Sequence, residues 1–592
     1  MTTITRRIGM IAAASLLGVG LVGVGATPAF AVTVSDTATL NAAITANETV
    51  LDVSASFTLS ADIEPIGDDV IINGNGFTID ADGYDAFDIV GSATVSNLTV
   101  IDADDEAFYL ELDQETGTFT NVSASGGDDG IYADLYEDAI LNVTGGTFSD
   151  IDNGVYLNDE FGNASVTVSG TTFDNTENAI YIDNAFGTTS LTVTGVSITD
   201  AYYGVYFDGE DASSVSVSSS TVTAGPENNS TGTGYGLYTY HYEESTATID
   251  GVTVTGDPEG DRFDYGYESA QYGETSVVIT NSTFTGNDFG LWVDLYDDGG
   301  GSPFYSLLNS RVVTNAEYGA YFATVAGSVL VDQTTFDGNG RVGNYPSVYA
   351  DVYDGGDGGF TFSRSTVSNT EGAPGIELYL DDADTTATIV NSTFSGNTTG
   401  DYSAIYVNGD GSDGQQFRLL NSTVTANTDA WSALELDDVD AVVSHSILSA
   451  NQLTDASPAE VVVASDASLF LEWSLVGSLA VEGGGDFTEG AGVKETSAPG
   501  LGPLAANGGP TQTHALLAGS PALNAGNPAV VDPPATDQRG DARIVQGRID
   551  IGAVEMPAAL ANTGSAPAPV LPVAVLFVLL GGAFLVLRRR TV

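Results

Sequence analysis

The sequence has 592 residues, with 80 acidic and 14 basic side chains and a formal net charge of −66. Such a charge repels phosphate groups, so no nucleic acid is predicted as a partner and anionic lipid surfaces are disfavoured. The chain has no cysteine, which excludes disulfides, thiolate metal sites and cysteine nucleophiles, while 42% hydrophobic residues argue against disorder.

Residues 1–31 have the features of a secretory signal peptide. Arg6 and Arg7 precede an uncharged apolar run, and the small residues Ala29 and Ala31 stand before the predicted cleavage site. We therefore predict an exported protein whose mature chain begins after Ala31.

The mature chain opens with "SDTATLNAAITAN" (35–47), which predicts a short amphipathic helix. Asp36 is a plausible N-cap, and Leu40, Ala43 and Ile44 share one apolar face. Because the first coil of a solenoid exposes both its core and a strand edge, we expect this helix to cap the structure that follows.

A repeat of 24 or 25 residues follows, as the segments starting at Leu141, Val166 and Leu191 show. Each repeat contains three short strands of alternating apolar and polar residues, separated by Asn, Gly, Asp or Ser. One apolar position marks the end of the second strand in each repeat: Val100, Ala124, Phe148, Phe173, Ile198, Val222, Val254, Phe284, Val312, Phe336, Val367, Phe394, Val424 and Ile447.

Repeats of this size bury their apolar faces only by stacking on one another, at about 4.8 Å per coil. The leucine-and-asparagine framework of leucine-rich repeats is missing. The sequence therefore predicts an all-β, right-handed parallel β-helix over residues 32–481. In architecture it resembles the pectate-lyase-like superfamily.

The third strand of the repeat carries an aromatic residue at one recurring position. Its neighbours are apolar and should point inward, so the aromatic column should point outward, with an acid or amide often two residues further on. One interpretation is a platform for glycans or another surface, and the other is stacking that stabilises the solenoid. The two are compatible. The candidate ligand-binding residues are Tyr132, Tyr156, Tyr181, Tyr206, Tyr238 and Trp292, and the column is interrupted at Glu268, Glu377 and Glu435.

Acidic loops follow the third strand in several repeats. Stacked carboxylates repel one another, and a hard divalent cation such as calcium would relieve that repulsion. A solvated acidic ridge is the alternative, and the sequence identifies no individual metal ligand. The loops are residues 134–139, 294–302, 351–359, 380–384, 408–414 and 436–440.

Catalytic residues cannot be assigned from this sequence. Lyases of the pectate-lyase-like superfamily use Arg or Lys as a base, and five arginines are the only basic residues between positions 32 and 480. Among 80 acids no glycosidase pair stands out, and His241, His445 and His514 are scattered. We therefore favour a non-enzymatic role and name no catalytic residue. A polysaccharide lyase or glycoside hydrolase is the alternative.

Residues 482–555 are rich in Gly, Pro and Ala and contain "NGGPTQTHALLAGSPALNAGNP", "DQRG" and "DIGAVE" in that order. These elements resemble the C-terminal module of the choice-of-anchor Q family, found on bacterial surface proteins after β-helix repeats. The resemblance implies a surface protein with a terminal attachment device and no known activity. In physical terms the segment could cap the last coil, with Asp537 and Arg539 available to pair.

The chain closes with three further segments: a linker at 556–569, an uncharged apolar segment at 570–587 and a basic tail at 588–592. Eighteen residues of helix reach about 27 Å, just enough to cross a bilayer, and the arginines of the tail belong on the cytoplasmic side. The linker contains the pentapeptide Leu560, Ala561, Asn562, Thr563 and Gly564.

This arrangement resembles an LPxTG-type sortase sorting signal, in the variant with Ala in place of Pro that is associated with class E sortases. The resemblance implies cleavage between Thr563 and Gly564 and transfer of Thr563 to peptidoglycan, so that the membrane is contacted only before sorting. The alternative is a plain membrane anchor. We thus predict an extracellular protein on the cell wall of a Gram-positive bacterium, acting by adhesion or by binding glycans or another surface.

Overall fold

The computed structural model describes residues 31–557, except residues 162, 185–187, 227–233, 258–259, 297–300, 354–358, 413, 456 and 458. The predicted signal peptide with Ala29, the pentapeptide Leu560 to Gly564, the apolar segment 570–587 and the basic tail lie outside the described residues. Within residues 31–557, no helix has the length and apolar character that crossing a bilayer requires. The chain divides into unit 1, Met1–Ser269, and unit 2, Ala270–Val592.

Unit 1 begins with the predicted helix, which spans Thr37–Thr45. The Asp36 carboxylate accepts a hydrogen bond from the Thr39 amide at 2.8 Å, and the Thr39 hydroxyl accepts one from the Asp36 amide at 3.2 Å. This reciprocal pair is a capping box, so the predicted N-cap is confirmed. Leu40, Ala43 and Ile44 are buried, and the helix contacts the first strand of the unit.

The strands of unit 1 form a parallel β-helix in which each coil contributes to three sheets. The first strands are Val32–Val34, Val50–Val53, Thr116–Thr120, Ala139–Thr144, Ala164–Ser169, Thr189–Thr194, Ser214–Ser218 and Thr246–Asp250. The second strands are Phe57–Thr58, Ser123–Ser125, Thr221–Thr223 and Thr253–Thr255. The third strands are Phe87–Val90, Glu106–Asp113, Asp129–Tyr136 and Tyr235–Tyr242, and a further third strand, Tyr265–Tyr272, begins in unit 1 and ends in unit 2. Two long strands, Val70–Asp80 and Ala93–Ile101, join a first to a second strand.

In three successive coils of unit 1 the second and third strands are continuous. These merged strands are Thr147–Phe161, Thr172–Asn184 and Ser197–Gly209. The three separate strands that the repeat predicts are therefore correct for most coils. In these three coils the strand pairing resumes directly after the predicted corner, where Asp150, Asn175 and Asp200 have left-handed φ values of 54° to 56°.

Unit 2 is a second stretch of parallel coils with the three strands kept apart. Its first strands are Ser276–Thr280, Phe304–Leu308, Ser328–Asp332, Gly359–Ser363, Thr386–Val390, Gln416–Leu420, Asp440–Ser444, Ser468–Glu472 and Asp486–Glu489. The second are Thr283–Thr285, Arg311–Val313, Thr335–Asp337, Thr366–Ser368, Thr393–Ser395, Thr423–Thr425, Ile447–Leu448, Leu475–Val476 and Lys494–Glu495. The third are Phe289–Tyr296, Ala320–Val325, Val348–Val352, Ile376–Leu380, Ile405–Gly409, Leu434–Asp437, Val461–Ala464 and Leu479–Val481, and Thr428–Ala430 pairs with Gln452–Leu453 in a small parallel ladder.

The strand register confirms the marker positions of the repeat, with one correction. Phe148 pairs with Phe173 in unit 1, and Val312 pairs with Phe336 in unit 2. The last marker is wrong by one residue, because Val424 pairs with Leu448 and not with Ile447. Both Ile447 and Leu448 are apolar and buried, so alternation alone could not distinguish them.

The corner between the first and second strands explains the polar residues that separate them. At one such corner of unit 2, Asn309 has a φ of 48°, a left-handed conformation that Asn tolerates better than most residues. The hydroxyl of the next residue, Ser310, donates to the Leu308 carbonyl at 2.8 Å and accepts the Ser282 amide of the preceding coil at 3.1 Å. Side chains thus satisfy backbone groups where the strand ladder is interrupted.

The C-terminal segment lies along the side of the unit 2 coils. The parallel strands continue past the predicted boundary at residue 481, to Glu495, and Leu501–Ala505 then forms an antiparallel hairpin with Thr513–Leu516. Gln538 is 1% exposed; its amide donates to the Ser365 carbonyl at 3.0 Å and accepts from the Thr393 hydroxyl at 2.6 Å.

The interpretation of this segment as a cap on the last coil therefore needs correction. It covers the outer face of the second strands, which is why Thr366, Thr393 and Thr423 are buried. The predicted pair is present, since Arg539 lies 2.7 Å from the Asp537 carboxylate.

Candidate functional site

The predicted aromatic column of unit 1 is continuous over six coils. Ring centroids of successive residues are 5.7 Å apart for Tyr109 and Tyr132, 5.3 Å for Tyr132 and Tyr156, and 5.1 Å for Tyr156 and Tyr181. The column continues at 4.1 Å to Tyr206 and 4.9 Å to Tyr238. The strand register aligns these residues, and the neighbours Val155 and Leu157 are fully buried, so the column lies on the outer side as predicted.

The stacking decides which part of each tyrosine a ligand can contact. Tyr156, Tyr181 and Tyr206 each have a near-parallel ring on both sides, with interplanar angles of 6° to 25°. A ring face that packs on another ring is not available to a sugar. If the column is a platform for glycans, these residues therefore offer ring edges and hydroxyl groups, and not ring faces, to the ligand.

A column of acids and amides runs beside the tyrosines. The register aligns Glu111 with Asp134, and further along Asp183 with Asp208. The hydroxyl of Tyr109 donates to the Asp134 carboxylate of the next coil. Burial, together with the neighbouring carboxylates of Asp183 and Glu210, raises the pKa of Asp208 to about 7.

Burial also raises the pKa of the tyrosines, with nearby Tyr181 and Asp183 adding to the effect at Tyr156. The direction is the same at Tyr206, where burial acts with Tyr181 and Asp208. The hydroxyls therefore stay protonated and can donate hydrogen bonds at any physiological pH. Hydroxyl donors and carboxylate acceptors therefore lie side by side on this face.

A second aromatic column lies beside the first, and the sequence analysis did not predict it. Tyr203 stacks on Tyr235 at 4.8 Å, and Tyr235 on Tyr265 at 5.3 Å. Tyr203 meets Tyr206 edge to face, at 5.2 Å and 82°. The signal was present, because an aromatic residue recurs three positions before the column residue with Gly between them: Tyr203-Gly204, Tyr235-Gly236, Tyr265-Gly266, Phe289-Gly290 and Tyr318-Gly319.

Unit 2 contains its own aromatic column, to which the predicted Trp292 belongs. Trp292 stacks on Tyr321 at 4.3 Å, and Tyr321 on Tyr349 at 4.6 Å. The Trp292 indole N–H donates to the Asp294 carboxylate at 2.9 Å.

Where Glu interrupts the column of unit 2, a cleft opens. The register continues from Tyr349 to Glu377, Tyr406 and Glu435. The cleft has a volume of about 370 Å³, and Tyr379, Tyr402 and Trp431 also line it. The sequence showed the interruption, but it could not show that loops of neighbouring coils bring Tyr402 and Trp431 to it.

The predicted calcium loops and the histidines give no metal or catalytic centre among the described residues. In residues 31–557, less the gaps given above, one cluster has three carboxylate oxygens within 4.8 Å of one another, namely Asp85, Asp105 and Glu106, and it lies outside the predicted loops. Calcium binding stays a prediction. His241 is fully buried against Ser245. His445 accepts a hydrogen bond from the Asn527 amide of the C-terminal segment, and His514, which belongs to that segment, contacts Ser395 of the coils.

The comparison with protein-family models agrees with this architecture. The family model described as "Right handed beta helix region" matches residues 178–351. The matched region is a right-handed β-helix. Among solved structures, the periplasmic alginate epimerase AlgG is similar over 68% of this chain and 78% of that chain, with 11% identity and a TM-score of 0.26. A likeness at this level gives no argument about fold or activity. No curated protein matches the sequence.

Proposed function

We propose that this β-helical chain is an exported surface protein that binds glycans, or the glycan coat of another surface, through the tyrosine and carboxylate columns of unit 1. The observation that carries the proposal is the continuous column of half-buried tyrosines, beside which the carboxylates of Asp134, Asp183 and Asp208 lie on the same face. Sugars present hydroxyl groups that both donate and accept hydrogen bonds. A repeated array of weak contacts suits a polymer better than a small molecule.

The strongly negative charge limits the glycan class. Of the 14 basic residues, none belongs to the columns described above, so a polyuronate would meet repulsion. We therefore expect neutral polysaccharides to bind and acidic ones to bind poorly.

The test distinguishes the contribution of the tyrosine hydroxyls to glycan binding from the contribution of ring stacking to stability. The triple variant Tyr156→Phe, Tyr181→Phe, Tyr206→Phe keeps every ring and removes three hydroxyls. With each hydrogen bond contributing about 0.5–1.5 kcal/mol, binding of the purified full-length chain to neutral polysaccharides on a glycan array should weaken at least about tenfold. Melting temperature should change little. Tyr242→Phe, which removes a hydroxyl outside the column, serves as the control and should bind like the parent chain. Unchanged glycan binding by the triple variant would refute this site.

We further propose that the chain is attached to peptidoglycan of a Gram-positive cell wall by a class E-like sortase acting at Thr563. The support is the pentapeptide followed by an apolar segment and three arginines. Thr563→Ala should move the protein from the wall fraction to the membrane fraction. Wall-bound chains that still extend beyond Thr563 would contradict sorting.

The alternative function is a wall-attached polysaccharide lyase or glycoside hydrolase. One observation favours a hydrolase: Glu377 and Glu435 line the same cleft, two coils apart, and burial raises the pKa of both. Two coils correspond to about 10 Å along the backbone, near the separation of about 6.5–9.5 Å between carboxyls that inverting glycosidases use. Release of reducing sugars that Glu377→Gln abolishes would establish this alternative.

A further inference from the structure

The cleft of unit 2 differs from the stacked columns because the ring stack is interrupted there on both sides of Tyr406. At the column position, the coils on either side of Tyr406 carry Glu377 and Glu435 in place of rings. Among the described residues, the aromatic neighbour of Tyr406 is Tyr379, at 6.2 Å and edge to face at 74°. Tyr406 thus lines the cleft without a ring stacked on its face, whereas Tyr181 has a stacked ring on both sides.

The two carboxylates of the cleft are held in place by hydroxyl donors. The Tyr379 hydroxyl donates to Glu377 Oε1 at 2.9 Å, and the Ser403 hydroxyl donates to Glu435 Oε2 at 2.6 Å. Ser403 in turn accepts from the Ser432 hydroxyl at 2.8 Å. Both carboxylates are half-buried, so their orientation toward the cleft is built into the coils.

Charge in the cleft is uncompensated. Glu377, Glu435 and the exposed Asp401 line it, and none of its lining residues is basic. Partly burying carboxylates without a cation nearby is costly, and the desolvation that raises the pKa of Glu435 is the expression of that cost. An anionic ligand would increase the cost, a neutral one would leave it, and a cation would remove it.

Aromatic rings beside carboxylates are the surroundings that organic ammonium groups prefer. A cation within about 6 Å of a Trp or Tyr face is attracted by the ring quadrupole, and adjacent carboxylates add direct attraction. Trp431, Tyr402 and Tyr406 supply the rings, and the volume of about 370 Å³ accommodates a small molecule.

We propose that this cleft binds an organic ammonium cation, with its charge between Glu377 and Glu435 and its carbon substituents against Tyr406 and Trp431. The ammonium group can belong to a quaternary amine or to an amine-bearing sugar, and the chemistry of recognition is shared. This site is independent of the glycan face of unit 1.

The test uses the full chain and a matched pair of ligands. Choline and 3,3-dimethylbutan-1-ol have the same shape and differ in charge. We expect choline to quench the fluorescence of Trp431, one of three tryptophans, and to bind at least about tenfold more tightly than the alcohol. Equal affinity for the two ligands, or no change in fluorescence with choline, would overturn the proposal.

Variants locate the site. Glu435→Gln should weaken choline binding at least about tenfold, whereas Glu371→Gln, an exposed glutamate of the same unit, should leave it unchanged. Trp431→Leu should remove the quenching. If this variant does not fold, Glu435→Gln still tests the proposal, provided that its melting temperature equals that of the parent chain. Choline binding that survives Glu435→Gln would also overturn the proposal.

A second pair of ligands distinguishes the two sources of the ammonium group. Tighter binding of glucosamine than of choline would assign an amine-bearing sugar, and the reverse order would assign a quaternary amine. Glucose serves as the uncharged control. Glucose that binds as tightly as both choline and glucosamine would overturn the requirement for a cation.

Discussion

Replacing Gly236 by Ala should destabilise unit 1 by about 3 kcal/mol, the upper end of the range for overpacking. A Cβ atom at this position would lie 2.4 Å from the Val254 Cγ1 atom and 2.6 Å from the carbonyl oxygen of Gly266 on the next coil. No rotamer can relieve the second clash, because the carbonyl belongs to the backbone. The coils would have to separate locally, which breaks ladder hydrogen bonds and opens the stack of Tyr235 on Tyr265.

The measurement is thermal and denaturant unfolding of the full-length variant beside a matched glycine substitution. Gly67→Ala serves as the control, because a Cβ atom there has no neighbour within 4 Å. We expect the control to unfold like the parent chain and Gly236→Ala to unfold at a clearly lower temperature. Equal melting temperatures for the two variants would show that the coils are not packed as closely as described.

Mild acidification should stabilise the protein. Burial raises the pKa of Asp129 to about 6, of Asp208 to about 7 and of Asp351 to about 6. Neighbouring carboxylates contribute to each shift. Because these pKa values lie above the unfolded value of 3.8, the folded state binds more protons between about pH 4 and pH 7, and the free energy of unfolding falls as the pH rises through that window.

The expected change in the free energy of unfolding follows from about 1.4 kcal/mol per unit of pKa shift. We reduce it because these carboxylates are only half-buried and solvent screens them. We expect each carboxylate to contribute about 1–2 kcal/mol, so the melting temperature at about pH 5 should exceed that at about pH 8. Asp208→Asn should flatten this dependence, whereas Asp211→Asn, which removes the same charge at an exposed position, should change it little. A melting temperature that is constant or rises from about pH 5 to pH 8 would contradict the assignment.

The architecture could be predicted because the same pattern of apolar residues recurs in many repeats. A single strand such as "VTVSG" is ambiguous, but apolar residues that return every 24 or 25 positions must stack, and the N-cap at Asp36 is a local signal. What could not be predicted depends on packing. The merging of strands in Thr172–Asn184 and the shift from Ile447 to Leu448 leave no mark in the pattern, since the residues concerned suit either arrangement.

The candidate site shows the same division. The repeat period predicts the column through Tyr156 and Tyr181. It does not predict that the rings stack face to face, and this stacking is what excludes the ring faces as sugar contacts. The interruptions at Glu377 and Glu435 were visible as breaks in a pattern. Their role in a cleft was not, because Trp431 belongs to a different position of its coil.

The placement of the C-terminal segment also has a mechanical consequence. Its last described residues are held by side chains, since the Glu555 amide donates to Asp537 at 2.9 Å and the Met556 amide to Asp550 at 2.7 Å. Tension transmitted through the chain beyond Pro557 reaches these bonds before it reaches any parallel strand. Detachment of residues 496–557 from the coils would release about 200 Å of extended chain before the parallel strands carry the load. The segment would therefore lengthen under tension and limit the force that reaches the β-helix.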